Sequence, residues 1–71
     1  MEKVITRVER LGVSMYGNPY FRLHFEDGSS ARTSIDSMIN YGVENSDNLN
    51  RPVVIKTTKA GRVYDIKALE A

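Results

Sequence analysis

Residues 20–33, YFRLHFEDGSSART, decide the fold. Phe21, Leu23 and Phe25 point one way, and Tyr20, Arg22 and His24 point the other. That period of two marks a strand with one buried face. Glu26-Asp27-Gly28 then reverses the chain. A two-residue Asp27-Gly28 turn would set Leu23 opposite Arg32 and place a charge on the apolar face. A three-residue loop with Gly28 left-handed sets Leu23 opposite Ala31 and Phe21 opposite Thr33. A one-residue slip sends every side chain to the other face, so the apolar pattern selects the longer loop. The same register places Arg22 opposite Arg32, and His24 opposite Ser30.

The flanking segments read as more strands. In Lys3–Met15, Val4, Thr6 and Val8 alternate with Ile5, Arg7 and Glu9, and then Leu11, Val13 and Met15 carry the apolar pattern. Gly12 lies at that slip, where a bulge or coil would return the apolar side chains to one face. Tyr16-Gly17-Asn18-Pro19 is a turn by composition. A short helix is expected over Ser34–Tyr41. Thr33 or Ser34 would cap it, Asp36 would suit its positive end, and Ile35, Met38 and Ile39 would form its buried stripe. Gly42 would stop it, with Val43 packing back in a Schellman-type ending. Glu44–Asn50 is polar loop, anchored by Leu49. Pro52 opens a fourth strand with Val53, Ile55 and Thr57 on one face, and Val63–Leu69 forms a fifth. A four-residue connection, Lys59 to Arg62, pairs Thr58 with Val63, Ile55 with Ile66 and Lys56 with Asp65. Met15, Tyr41 and Leu49 suit either core or interface.

This order predicts a mainly β domain, a small five-stranded β-barrel with one short helix between strands three and four. At 71 residues it is one domain of marginal stability. Cys is absent, so neither disulfides nor thiolate metal sites can form. Ten basic and nine acidic residues give a net charge of +1, so any attraction for polyanions must come from how charge is distributed. The start, Met1-Glu2-Lys3-Val4, has no apolar signal region, and no run approaches the roughly 20 apolar residues of a membrane span. A soluble, cytoplasmic protein is expected.

No catalytic constellation accompanies the fold. His24 is the only histidine, and no Asp, Glu or His set has metal-ligand spacing. Glu26-Asp27 precedes a turn glycine, Ser29-Ser30 lacks a nucleophile elbow, and Lys59-Ala60-Gly61 lacks the glycines and helix of a phosphate loop. Neither enzyme activity, cofactor nor metal is expected.

The outward face of strands two and three is the candidate site. Like charges set opposite each other are destabilising, and a bound anion would relieve Arg22 and Arg32. Tyr20 and His24 offer flat surfaces for stacking a base. The flanking loops bring Tyr16, Lys59 and Arg62, completing an aromatic and basic groove for single-stranded nucleic acid. The plainer reading is a solvated face. Arg22 is then satisfied by Glu26 or a strand-one carboxylate, Tyr16 packs on its own turn, and Lys59 and Arg62 keep a hairpin soluble. A second functional reading is a protein-interaction module, which the near-zero net charge and the mix of Tyr and Arg favour.

The strings Gly17-Asn18-Pro19, Phe25, Asp27-Gly28, Arg32-Thr33, Tyr41-Gly42-Val43-Glu44-Asn45 and Lys59-Ala60-Gly61-Arg62-Val63 resemble small proteins encoded by bacteriophages of actinobacteria. The resemblance implies a compact accessory protein acting on a host protein or an assembly in the host cytoplasm, and no particular activity. Separately, the order of three strands, helix and two strands resembles the oligonucleotide-binding (OB) barrel. An SH3-like barrel with a helical insert is the alternative.

Overall fold

The alternating segments form one antiparallel sheet. The computed structural model describes residues 2–44 and 48–69; residues 45–47 of the expected polar loop, and Asn45 of the phage-like string, lie outside them. The strands are β1 (Glu2–Val13), β2 (Pro19–Phe25), β3 (Ser30–Arg32), β4 (Pro52–Thr57) and β5 (Val63–Ala68). Their spatial order is β3-β2-β1-β4-β5. No helix among the described residues is long and apolar enough to cross a membrane.

Three hairpin tips share one design. Ser14 N–H donates to Asn18 O (2.8 Å) and Gly17 N–H to Ser14 O (2.9 Å). Phe25 N–H donates to Ser29 O (2.9 Å) and Gly28 N–H to Phe25 O (3.1 Å). Thr58 N–H donates to Arg62 O (2.8 Å) and Gly61 N–H to Thr58 O (2.9 Å). Each loop has three residues and ends on a left-handed glycine, with φ of 85° at Gly17, 89° at Gly28 and 81° at Gly61. Only glycine takes this conformation without the Cβ clash. At Gly28 the register is as the apolar pattern requires: Arg22 opposite Arg32, Leu23 opposite Ala31, His24 opposite Ser30.

The β4–β5 hairpin corrects the expected four-residue connection. Ile55 does pair with Ile66, and Lys56 with Asp65, but Val63 pairs with Thr57 rather than Thr58. Tyr64 is the extra residue, and this bulge restores parity beyond the shorter loop.

Strand β1 carries two such steps. The expected one lies between Arg10 and Gly12; the other lies between Ile5 and Arg7, at Thr6. The step at Thr6 lets Ile5 and Val8, three residues apart, both reach the core. Val13 and Met15 do not rejoin it and are exposed.

The expected helix over Ser34–Tyr41 is replaced by a single 3-10 turn, Met38–Tyr41, with Ser37 at its N-cap and no side-chain cap bond. Asp36 adopts φ 61°, which breaks any helix begun at Ser34. Ile35 and Met38 are exposed, so of the expected stripe only Ile39 packs on the core. Gly42, at φ −133°, is not left-handed; its N–H bonds Ile39 O (3.0 Å). Val43 is buried as expected, and Leu49 is the loop's anchor, bridged to Ile5.

The core is Ile5, Phe21, Leu23, Phe25, Val43, Val53, Ile55 and Val63. A cation closes each end: Lys3 Nζ lies 5.4 Å from the Phe25 ring centre, and the Arg10 guanidinium lies 5.8 Å from that of Phe21. Thr33 is fully buried among these residues. Its N–H donates to Phe21 O (2.8 Å), but Phe21 N–H donates to the Thr33 hydroxyl, Oγ1 (2.9 Å). The side chain thus takes the place of a ladder carbonyl, and the main chain leaves β2. Thr33 then bridges Val63 in parallel, and Ser34 N–H donates to Val63 O (2.7 Å). Among the described residues the two sheet edges meet only there, so the sheet does not close into a barrel.

Thr33→Val removes the acceptor for a buried N–H, and should lower stability by about 1–3 kcal/mol. Thr33→Ser should cost only about 1 kcal/mol, the loss of one methyl group. Urea unfolding of both variants tests this; equal losses would show that the hydroxyl is not what matters. Gly28→Ala adds a Cβ with nothing within 4 Å, so its expected cost of about 1–2 kcal/mol is backbone strain alone.

Candidate functional site

Burial of Phe21, Leu23 and Phe25 turns Tyr20, Arg22 and His24 outward on β2. Arg32 joins them from β3, directly opposite Arg22. The Thr33–Val63 bridge adds a third arginine. Both bridged side chains are buried; Arg32, the strand residue before Thr33, is exposed, and Arg62, the loop residue before Val63, is half-buried. Arg22 and Arg32 therefore face each other on β2 and β3, and Arg62 immediately precedes β5 beside the bridge. Among the described residues none of the three has a carboxylate within ion-pair distance; the pairs present are Lys3–Asp27, Arg7–Glu9 and His24–Glu9. Glu26 makes no ion pair with Arg22; the strand-one carboxylate Glu9 lies directly opposite Arg22 and its pKa is lowered in part by that charge, with no ion pair within 4.0 Å.

The other expected site residues take different positions. Tyr20 is half-buried and lies across Gly12, where a Cβ would stand 3.0 Å from its phenol oxygen. Tyr16 is exposed in the β1–β2 loop rather than packed, and Lys59 is exposed in the β4–β5 loop. His24 does not stand free. Its Nε2 lies 3.0 Å from Glu9 Oε1 and 3.1 Å from Arg7 Nη2, and Arg7 lies 3.9 Å from Glu9. A carboxylate only accepts and a guanidinium only donates, so Nε2 donates to Glu9 in the tautomer that carries its hydrogen there and accepts from Arg7 in the other. The hydrogen bond with His24, helped by the charges of Arg7, His24 and Arg22, outweighs desolvation and holds Glu9 below the usual carboxylate range.

A second polar cluster was not visible in the sequence. Asp36 Oδ1 accepts from Ser14 Oγ (2.6 Å) and Asn18 Nδ2 (2.7 Å), while the Tyr41 hydroxyl donates to Asn18 Oδ1. It ties the β1–β2 loop, with Tyr16, to the segment after β3. The only local signal is Asp at a position with φ 61°, a conformation Asp tolerates better than most residues. The bonds from Asn18, then Ser14, outweigh desolvation and depress the Asp36 pKa. At the far end of the sheet, Asp27 Oδ2 lies 2.5 Å from Lys3 Nζ, and its Oδ1 accepts from the Ser29 hydroxyl (2.5 Å) and N–H (2.9 Å). Lys3, then Ser29, hold Asp27 well below the usual carboxylate range.

The site has the shape of a surface rather than a pocket. Two depressions of about 190 Å³, one beside Lys3 and Phe25 and one beside Ile39 and Val43, fall short of the usual 300–1,000 Å³ of a ligand pocket, and none of Arg22, Arg32 and Arg62 lines them. Among the described residues no three His, Cys, Asp or Glu side chains converge as a metal site would need. No family model matches the chain, and comparison with curated proteins and with solved structures returned no match.

The carboxylates set the acid limb of stability. A group whose pKa is lower folded than unfolded stabilises fully above its unfolded value, about 3.9 for Asp, and less as pH falls through the folded value. Melting temperature should therefore fall below about pH 4. Asp27→Asn should flatten that fall, because Asn cannot bind the proton. An unchanged acid slope in thermal melts at pH 7, 4 and 3 would exclude Asp27 as a source.

Proposed function

We propose that this chain is a small, non-catalytic module that binds single-stranded nucleic acid across the outward face of β2, β3 and the start of β5. One observation carries the reading: Arg22 and Arg32 lie directly opposite each other, Arg62 lies next to the Thr33–Val63 bridge, and among the described residues none of the three has a carboxylate within ion-pair distance. A solvated face has no need of such a grouping, and opposed like charges destabilise the bare sheet. A flexible polyanion neutralises all three at once. Arg22, Arg32, Arg62 and Lys59 would hold phosphates, and Tyr16 and Tyr20 would stack bases, each worth about 1–3 kcal/mol.

The sheet supports this reading. The order β3-β2-β1-β4-β5, with β3 touching β5 in parallel, resembles a partly open OB-like barrel more than an SH3-like one. In that fold the strand 2–3 face and the loops after strands one and four bind oligonucleotides. Fold likeness alone assigns no function, so the three arginines bear the weight.

A specific observation favours a second reading, a protein-interaction module. Met15, Tyr16, Ile35, Met38 and Tyr41 are exposed around the Asp36 tie. A phage-type accessory protein in a host cytoplasm would use such a surface on a host protein or an assembly. Pull-downs from lysate with and without nuclease separate the two readings.

Fluorescence anisotropy of a labelled oligothymidylate is the direct test. Three or four neutralised phosphates predict a slope of log affinity against log salt of about −2 to −3, and Arg32→Ala should reduce its magnitude by about 0.7. No binding in low salt at high micromolar protein would end the proposal.

A further inference from the structure

Glu9 lies directly opposite Arg22 in the β1–β2 register. Opposite charges in that relation ordinarily attract, since the Cβ atoms of facing residues lie about 4.5–5.5 Å apart. Here the carboxylate makes its contacts within 4.0 Å with His24 and Arg7, not with Arg22. It lies 3.0 Å from His24 Nε2 and 3.9 Å from Arg7. His24 is its diagonal neighbour, standing opposite Arg7. A directed hydrogen bond has beaten the facing ion pair, which at an exposed site is worth little. The side chains that face His24 are Arg7 and Glu9 from β1 and Ser30 from β3, with Arg22 beside it on β2. Glu9 is the only carboxylate among them.

We infer that Glu9 is an internal competitor for the arginine site, and that His24 and Arg7 hold it off Arg22 so that the site stays open to an external anion. This rests on the proposed anion-binding role of the arginines and assigns His24 a positioning task among them. Without the imidazole N–H, Glu9 swings to Arg22, the cation it already faces. It then fills one place in the site, as a phosphate oxygen would.

The test pairs an oligonucleotide readout with one that needs no ligand. With labelled oligothymidylate in low salt, Glu9→Gln should bind about two- to fivefold tighter than wild type, the range of one exposed ion pair. His24→Ala should bind weaker by a similar factor, with the salt slope smaller by about 0.7. The double variant should match Glu9→Gln, because His24 acts only through Glu9. Equal weakening by His24→Ala in both backgrounds would mean that His24 touches the oligonucleotide itself, and would overturn the inference. Independently, the Arg22 side-chain Nε–Hε resonance should move in ligand-free His24→Ala, and return in the double variant and in His24→Gln, which keeps a donor. An Arg22 resonance unmoved in His24→Ala overturns the inference whether or not oligonucleotide binds. If it moves while no variant binds oligonucleotide, the steering of Glu9 stands and the nucleic-acid reading falls. Thermal melts of each variant identify any loss of fold.

Discussion

The hydrogen bond from Phe21 N–H to the Thr33 hydroxyl is the contact on which the rest of the architecture depends. An ordinary ladder would have used the Thr33 carbonyl and kept its main chain alongside β2. The hydroxyl supplies the oxygen instead, so the backbone turns to meet Val63 while Phe21 keeps a partner in a fully buried site. Leaving that donor unpaired would cost about 1–3 kcal/mol, a large loss for a 71-residue chain. Because the bridge fixes Thr33 inward, it also fixes Arg32, its neighbour in β3, outward, and it brings Arg62 to the same edge. The candidate site thus follows from a core contact that none of its arginines makes.

Charge is sorted by the same geometry. Lys3 and Arg10 close the two ends of the core over Phe25 and Phe21, where long aliphatic stems cover apolar surface. Of these two, Lys3 has a carboxylate partner in Asp27. Three acidic groups are drawn into local hydrogen-bonded clusters: Asp27 with Lys3 and Ser29, Asp36 with Ser14 and Asn18, Glu9 with His24. A chain of net charge +1 can therefore set Arg22 opposite Arg32 without an ion pair to either and without an excess of basic residues.

Strand register was readable wherever a buried face forced it. The Gly28 loop followed from keeping Arg32 off the apolar side, and the Ile55–Ile66 pair from matching isoleucines. The four-residue loop at Lys59 was misread because parity alone cannot tell one extra loop residue from a shorter loop followed by a bulge at Tyr64. The step at Thr6 carries no glycine to mark it, so the meeting of Glu9 with His24 could not be derived. The helix failed for a different reason. Ile35, Met38 and Ile39 have helical spacing, yet Asp36 turns left-handed to hold the β1–β2 loop, and that tertiary contact outweighs local propensity. The Arg22–Arg32 pair was legible from the hairpin. Arg62 was tied to it only through a loop assignment, since the Thr33–Val63 bridge joins residues thirty apart.

Among the described residues the seam between β3 and β5 has one bridge, while the neighbouring ladders have several rungs each. Parting Thr33 from Val63 would break this bridge and the neighbouring Ser37–Tyr64 contact while leaving the rungs of both hairpins in place. Such an opening would carry Arg62 away from Arg32. The same edges, once apart, would offer unpaired main-chain groups to water.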